Sequence, residues 1–218
     1  MEKLYIWLIV VIIILVVNYY RDKKTDEEFE IQQEFNKKSI LAYQIENREV
    51  RTDFEEFNED EFWKLIEKSS ESCKGSYKNQ LGLLMDYFRK YSKEELIQLD
   101  NLVNRLYREF ISQDLLAASY IIFKTSEISA TYLLMSIFMT RGRVFYKNAC
   151  LNPNLIIGKK LNEISDYTIP DAISEIYKRK TDMLIPIPEE QEEFEIKGKK
   201  WSERELPSKY SELWLAFA

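Results

Sequence analysis

The stretch YSKEELIQLDNLVNRLYREF, from Tyr91 to Phe110, reads as one amphipathic helix whose start is marked in its own residues. Ser92 can cap the first turn, and Glu95 three residues on can close a capping box. Tyr91 and Leu96 flank that pair as a hydrophobic staple. Leu96, Leu99, Val103, Leu106 and Phe110 then follow at steps of three and four, which puts them on one face of a 3.6-residue helix. Such a stripe is the ordinary core face of a helical domain, and it predicts an all-α architecture.

The same grammar continues outward. Upstream, Asn58 can cap, Glu61 can close a box and Phe57 can staple to Phe62, after which Phe62, Leu65 and Ile66 line one face with Trp63 beside them. Tyr77, Leu81, Leu84, Phe88 and Tyr91 mark a second helix at steps of four, three, four and three. Downstream, Leu115 to Phe123 and Ile128 to Met139 are apolar but separated by Lys124 and Glu127. Each is shorter than the ~20 residues a membrane span needs, so both read as core helices. Gly142 suits a helix C-terminus, and Val144 to Cys150 makes a short helix closed by Asn152-Pro153-Asn154.

Pro170 fits the first turn of a helix carrying Ala172, Ile173, Ile176 and Tyr177. Ile185-Pro186-Ile187-Pro188 is extended, because each proline drives its predecessor out of the α region. An acidic run from Glu189 to Glu195 leads into the tail. There Ser202 and Glu205 repeat the box, Pro207 is expected to stop the helix after about one turn, and Tyr210, Leu213, Trp214 and Phe217 supply an apolar face. No period of 20 to 50 residues recurs, which excludes a solenoid.

The N-terminus is different in kind. From Leu4 to Val17 every residue is apolar or aromatic, and twelve are Leu, Ile or Val. Extended through Asn18, Tyr19 and Tyr20, a helix here spans roughly 26 Å, the short end of a hydrocarbon core. Insertion-scale values for its aliphatic residues sum to roughly −4 to −7 kcal/mol. Tyr5, Trp7, Tyr19 and Tyr20 put amphipathic rings near both interfaces, and V-V-N-Y-Y-R offers no small residues for signal cleavage. Arg21, Lys23 and Lys24 follow the span, so the positive-inside rule leaves the large domain in the cytoplasm. The organisation read from sequence is residues 1–20 as a transmembrane anchor, 21–57 as a charged tether and linker, and 58–218 as one multi-helix domain with an irregular C-terminal tail packed on it.

Composition excludes much chemistry. The chain has 218 residues, a net charge of −6 and no histidine, which removes the commonest general base, metal ligand and near-neutral switch. The charges up to Lys24 sum to +2, so the remainder carries −8, and an acidic domain is a poor partner for a phosphate backbone. Lys178-Arg179-Lys180 and Lys197 to Lys200 read as solvated helix ends and turns. Cys73 and Cys150 stand alone, with no disulfide framework or thiolate zinc site between them. Five glycines build no Walker loop, dinucleotide fingerprint or nucleophile elbow. The densest carboxylates, Asp53, Glu55, Glu56, Glu59, Asp60 and Glu61, suit a solvated helix N-terminus better than a hard-cation site. No cofactor or metal is expected. The densest basic and aromatic mixture, with Arg141, Arg143, Phe145, Tyr146 and Lys147, is the candidate interaction surface.

Four blocks of the chain resemble the bacterial domain-of-unknown-function family 4240. They are NEDEFWKLIEK (Asn58 to Lys68), DLLAASYII (Asp114 to Ile122), RGRVFYKNACLNPN (Arg141 to Asn154) and GKKWSERELPSKYSELW (Gly198 to Trp214). Their order covers Asn58 to Ala218, about three quarters of the chain. Where the resemblance leads one to expect an acidic pair followed by an arginine and a tryptophan, this chain has the more apolar SEISATYLLMSIFM, Ser126 to Met139. A function borne by those positions would not carry over. The resemblance implies an α-helical fold and no reaction.

Sequence therefore predicts a membrane-tethered module acting through a protein partner, in a regulatory or immunity-type role. The alternative is an enzyme with a carboxylate or cysteine site; a deep pocket of convergent carboxylates would favour it, an exposed apolar patch the module. Because the basic residues follow the span, a reporter fused after Ala218 should be active only in its cytoplasmic form. An active periplasmic or extracellular reporter would reverse the orientation.

Overall fold

In a computed structural model, the described residues are 50–51, 55–159, 167–188 and 196–217. The expected anchor and most of the tether lie outside them. Helix α3 (Lys93–Phe110) has the expected cap and box: Ser92 Oγ accepts from Glu95 N at 3.1 Å, and Ser92 N donates to Glu95 Oε2 at 2.7 Å. Such a cap is worth ~1 kcal/mol. Of the predicted stripe Leu96, Leu99, Val103 and Leu106 are buried and Phe110 is half-buried, while burial also extends to Asp100, Leu102 and Tyr107. A helix covered over so wide an arc needs neighbours on several sides.

Those neighbours are the other predicted helices. α1 (Glu59–Cys73) is capped by Asn58, whose side chain accepts from Glu61 N at 3.0 Å, and packs on α2 (Tyr77–Phe88). Tyr77, Leu81, Leu84 and Phe88 are all buried, as their spacing requires. α4 (Gln113–Phe123) and α5 (Ile128–Met139) pair across a sharp bend of 94°. Seven residues of α4 and nine of α5 are buried in the domain, so this apolar pair is core. Among the described residues no single helix is long and apolar enough to cross a membrane. α6 (Arg143–Leu151), a 3-10 turn at Pro153–Ile156 and α7 (Ile169–Thr181) complete the main body, with α7 lying along α3 and α2.

Among the described residues the strands form one parallel pairing of two residues each, β1 (Val50–Arg51) with β2 (Ile187–Pro188). It brings the chain entering the domain beside the extended segment the prolines impose. Phe57 N then donates to Gln98 O at 3.0 Å, and Asn101 Nδ2 to Glu55 O at 2.8 Å, laying residues 55–57 along α3.

The tail corrects one expectation. Ser202 and Glu205 do form the box around a 3-10 turn at Glu203–Glu205, but Pro207 does not stop the helix. It sits in the first turn of α8 (Leu206–Lys209), where the missing N–H would lack an intrahelical partner anyway, and α9 (Ser211–Phe217) follows. The tail is clasped to α4. Gln113 N donates to Lys197 O at 2.8 Å, Tyr120 OH to Glu203 Oε1 at 2.6 Å, and Tyr210 OH to Asp114 Oδ1. Trp201 is buried with its ring 5.6 Å from that of Tyr120, whereas Trp214 is half-buried.

Trp201→Ala should therefore cost ~3–5 kcal/mol, lowering the thermal midpoint of the purified chain by roughly 10 °C. Trp214→Ala should cost clearly less. Equal, unperturbed melting of both variants by circular dichroism would show that the tail adds nothing to the fold.

Candidate functional site

Helix α6 begins at Gly142, whose φ of 93° lies in the left-handed region. Gly142 N donates to Met139 O at 2.9 Å, closing α5 before its own carbonyl starts the next helix. From there the phase of α6 is set by what it buries: Tyr146, Ala149 and Cys150 point inward. The five residues singled out by sequence therefore do not share one surface.

Tyr146 is the clear departure. It is fully buried, with its ring 5.6 Å from Trp63 of α1 and 5.4 Å from Phe110 of α3, and its hydroxyl donates to Leu106 O at 2.8 Å. It is a core residue, because a ring whose one polar atom is hydrogen-bonded loses nothing by burial. Arg143 turns toward α1, with Nη2 at 2.9 Å from Glu59 Oε1 and Nη1 at 2.8 Å from Asp60 Oδ1. Arg141 is half-buried with its guanidinium 5.7 Å from the centre of the Phe145 ring, and burial lowers its pKa. Phe145 packs edge-on to Phe138 at 6.0 Å and carries Lys159 Nζ at 5.9 Å. Lys147 is partly exposed on the outer side of the helix.

The exposed apolar side chains nearby were not singled out from sequence. Val144 is 74% exposed and Leu151 76%. The helical phase was the available signal: once Tyr146 and Cys150 are inside, Val144 and Leu151 must be outside.

Both cysteines and the Glu59 carboxylate are tied into the fold. Burial pushes the Cys150 thiol up to about 12 and raises Cys73 as well, so neither is a thiolate near neutrality. Among the described residues no three carboxylate or cysteine groups are placed to hold a metal ion. Glu59 accepts from Arg105 Nη2 at 2.8 Å, Arg143 and Trp63 Nε1 at 3.1 Å, and Arg105 Nε reaches Glu56 at 2.7 Å. These contacts tie α1, α3 and α6 together. A shallow cleft between α2 and α7, lined by Lys78, Met85, Tyr167, Glu175 and Arg179, gathers no convergent carboxylates, and Arg179 is paired with Glu175 at 2.7 Å.

A family model described as a protein of unknown function, DUF4240, matches residues 57–178. Three of the four blocks of resemblance lie inside that span, and Gly198 to Trp214 lies beyond it. No curated protein and no solved structure matches the chain.

The Glu59 network has a pH signature. Burial opposes ionisation of Glu59, but hydrogen bonds from Arg105 and Trp63 with the charges of Arg105 and Arg143 outweigh it and hold the carboxyl below its ordinary value. A depressed folded pKa contributes stability that is present above the unfolded value of about 4.3 and is lost as pH falls through the folded one. Glu59→Gln should lower the urea midpoint at neutral pH, and the difference from the parent should shrink below about pH 4. A difference that persists unchanged in acid would remove Glu59 from the charge network.

Proposed function

This chain belongs to the DUF4240 family of proteins of unknown function, and we propose that it is a membrane-anchored module that works by contact rather than by a reaction. The observation that carries this reading is the uninterrupted apolar run from Leu4 to Val17, followed at once by Arg21, Lys23 and Lys24. Such a run costs too much to leave in water and is too uniformly apolar for one face of a surface helix. Its basic flank holds the helical domain on the cytoplasmic side.

Contact is supported by the chemistry of the domain. Its thiols are protonated near neutrality, Glu56 and Glu59 are paired with Arg105 and Arg143, and the open cleft between α2 and α7, with Lys78 and Met85 in its wall, offers a partner a place to bind. The partner is another protein at the same membrane, and a regulatory or immunity-type role is the biological form such a tethered domain takes.

Alkaline carbonate should leave the full chain in the membrane pellet, while replacing two residues of the run, Ile12→Asp with Ile13→Asp, should release it. A photo-crosslinker at Lys78, in the cleft between α2 and α7, should give one discrete protein adduct in native membranes. Release of the parent chain by carbonate overturns the anchor. A firmly anchored chain that yields no adduct at Lys78 removes the cleft as the place of contact.

A further inference from the structure

The outer flank of α6 combines exposed apolar side chains with basic ones. From Arg141 to Lys159 the chain contains Arg141, Arg143, Lys147 and Lys159 and no aspartate or glutamate, in a protein of net charge −6. Val144, Lys147 and Leu151 fall at i, i+3 and i+7, so they form one stripe, and the burial of Tyr146 and Cys150 stops that stripe from turning inward. Leu155, 40% exposed in the following 3-10 turn, continues it. Asn154 Nδ2 donates to Glu212 Oε2 at 3.1 Å, holding α9 beside the turn, and Leu215, one turn beyond Glu212, is 86% exposed.

We propose that this flank docks on the anionic surface of the bilayer that holds the anchor. Val144, Leu151, Leu155 and Leu215 enter the boundary between headgroups and acyl chains, and Lys147 and Lys159 lie among the headgroups. Apolar side chains bordered by lysines are the composition that interfacial binding requires, since apolar burial and attraction to anionic lipid add. A second copy of the chain is a poorer occupant, because a two-fold contact would set like charge against like charge. Arg143 is already neutralised by Glu59 and Asp60, so Lys147 and Lys159 carry the attraction.

This inference rests on the anchored reading and adds an orientation to it. The residues between Lys24 and Glu55 reach at most about 110 Å when fully extended. The domain is therefore confined near the bilayer at an effective concentration on the order of 1 mM. A surface too weak to recruit a free protein would be occupied once tethered. Docking would turn the opposite side of the domain toward the cytoplasm and a protein partner.

The test uses the full chain in lipid nanodiscs, with Asn148→Cys in a Cys73→Ser background carrying an environment-sensitive dye beside the stripe. With phosphatidylglycerol present, the dye should shift to the blue and resist a water-soluble quencher several-fold better than in phosphatidylcholine alone. High salt should weaken that protection, and either Lys147→Glu or Leu151→Asp should abolish it without changing the melting curve. Equal quenching in both lipids, in a chain that has incorporated, overturns the docking and leaves the anchor standing. Failure to incorporate at all overturns the anchor and the docking together. Protection seen only in native membranes, and absent from pure anionic lipid, would give the flank to a protein and overturn the lipid assignment.

Discussion

Everything in the domain is arranged around the burial of α3 over a wide arc of its surface. Leu96, Leu99, Leu102, Val103 and Leu106 cannot all be covered by one neighbour, so α7 lies along it and α6 closes against it. Residues 55–57 run over it as a strap, with Phe57 ring to ring with Tyr91 at 5.1 Å. Apolar burial supplies the attraction, but it is non-directional and does not by itself choose between packings.

The choice is made by polar groups that the packing buries. Gln80 is almost fully buried, and its amide nitrogen lies within hydrogen-bond distance of Ile66 O, Ser69 Oγ and Thr140 O, joining α1, α2 and the end of α5. Ser136 Oγ is bonded to the Tyr107 hydroxyl and accepts from Ile169 N at 3.0 Å. That satisfies an N–H at the start of α7 that no helical carbonyl could reach. Tyr77 OH donates to Tyr167 O at 2.6 Å just before the same helix. An unmade bond at any of these sites would cost the desolvation of a buried polar group, so they favour one register over nearby alternatives.

Arg105 is paired with Glu56 and Glu59 across helices, and the cysteines are held protonated by burial. Among the described residues, Val144, Leu151 and Leu155 leave apolar surface exposed along α6 and the turn beyond it, and Tyr167, Met183 and Leu215 do so elsewhere.

By itself the sequence determined the order of the helices, the caps at Asn58 and Ser92, the core face of the amphipathic ones and the family, because period, capping chemistry and proline placement are local properties. The stripes Tyr77, Leu81, Leu84 and Phe88, then Leu96, Leu99, Val103 and Leu106, then Ala172, Ile173, Ile176 and Tyr177 are buried as their spacing demanded, while Tyr91 and Phe110 at the ends of the first two are half-buried. The exclusion of histidine chemistry was equally legible, since composition needs no fold. The candidate surface was legible only in part. Arg141 to Lys147 was a dense basic and aromatic cluster, but which member faced solvent depended on the phase of α6, and nothing local sets that phase. Tyr146 went inside because Trp63 and Phe110, distant in sequence, make a slot for its ring and Leu106 offers its hydroxyl an acceptor. Pro207 opened a helix rather than closing one because the tail found α4 to pack on. Only tertiary structure decided those outcomes, because each depends on contacts between residues that the chain brings together from far apart.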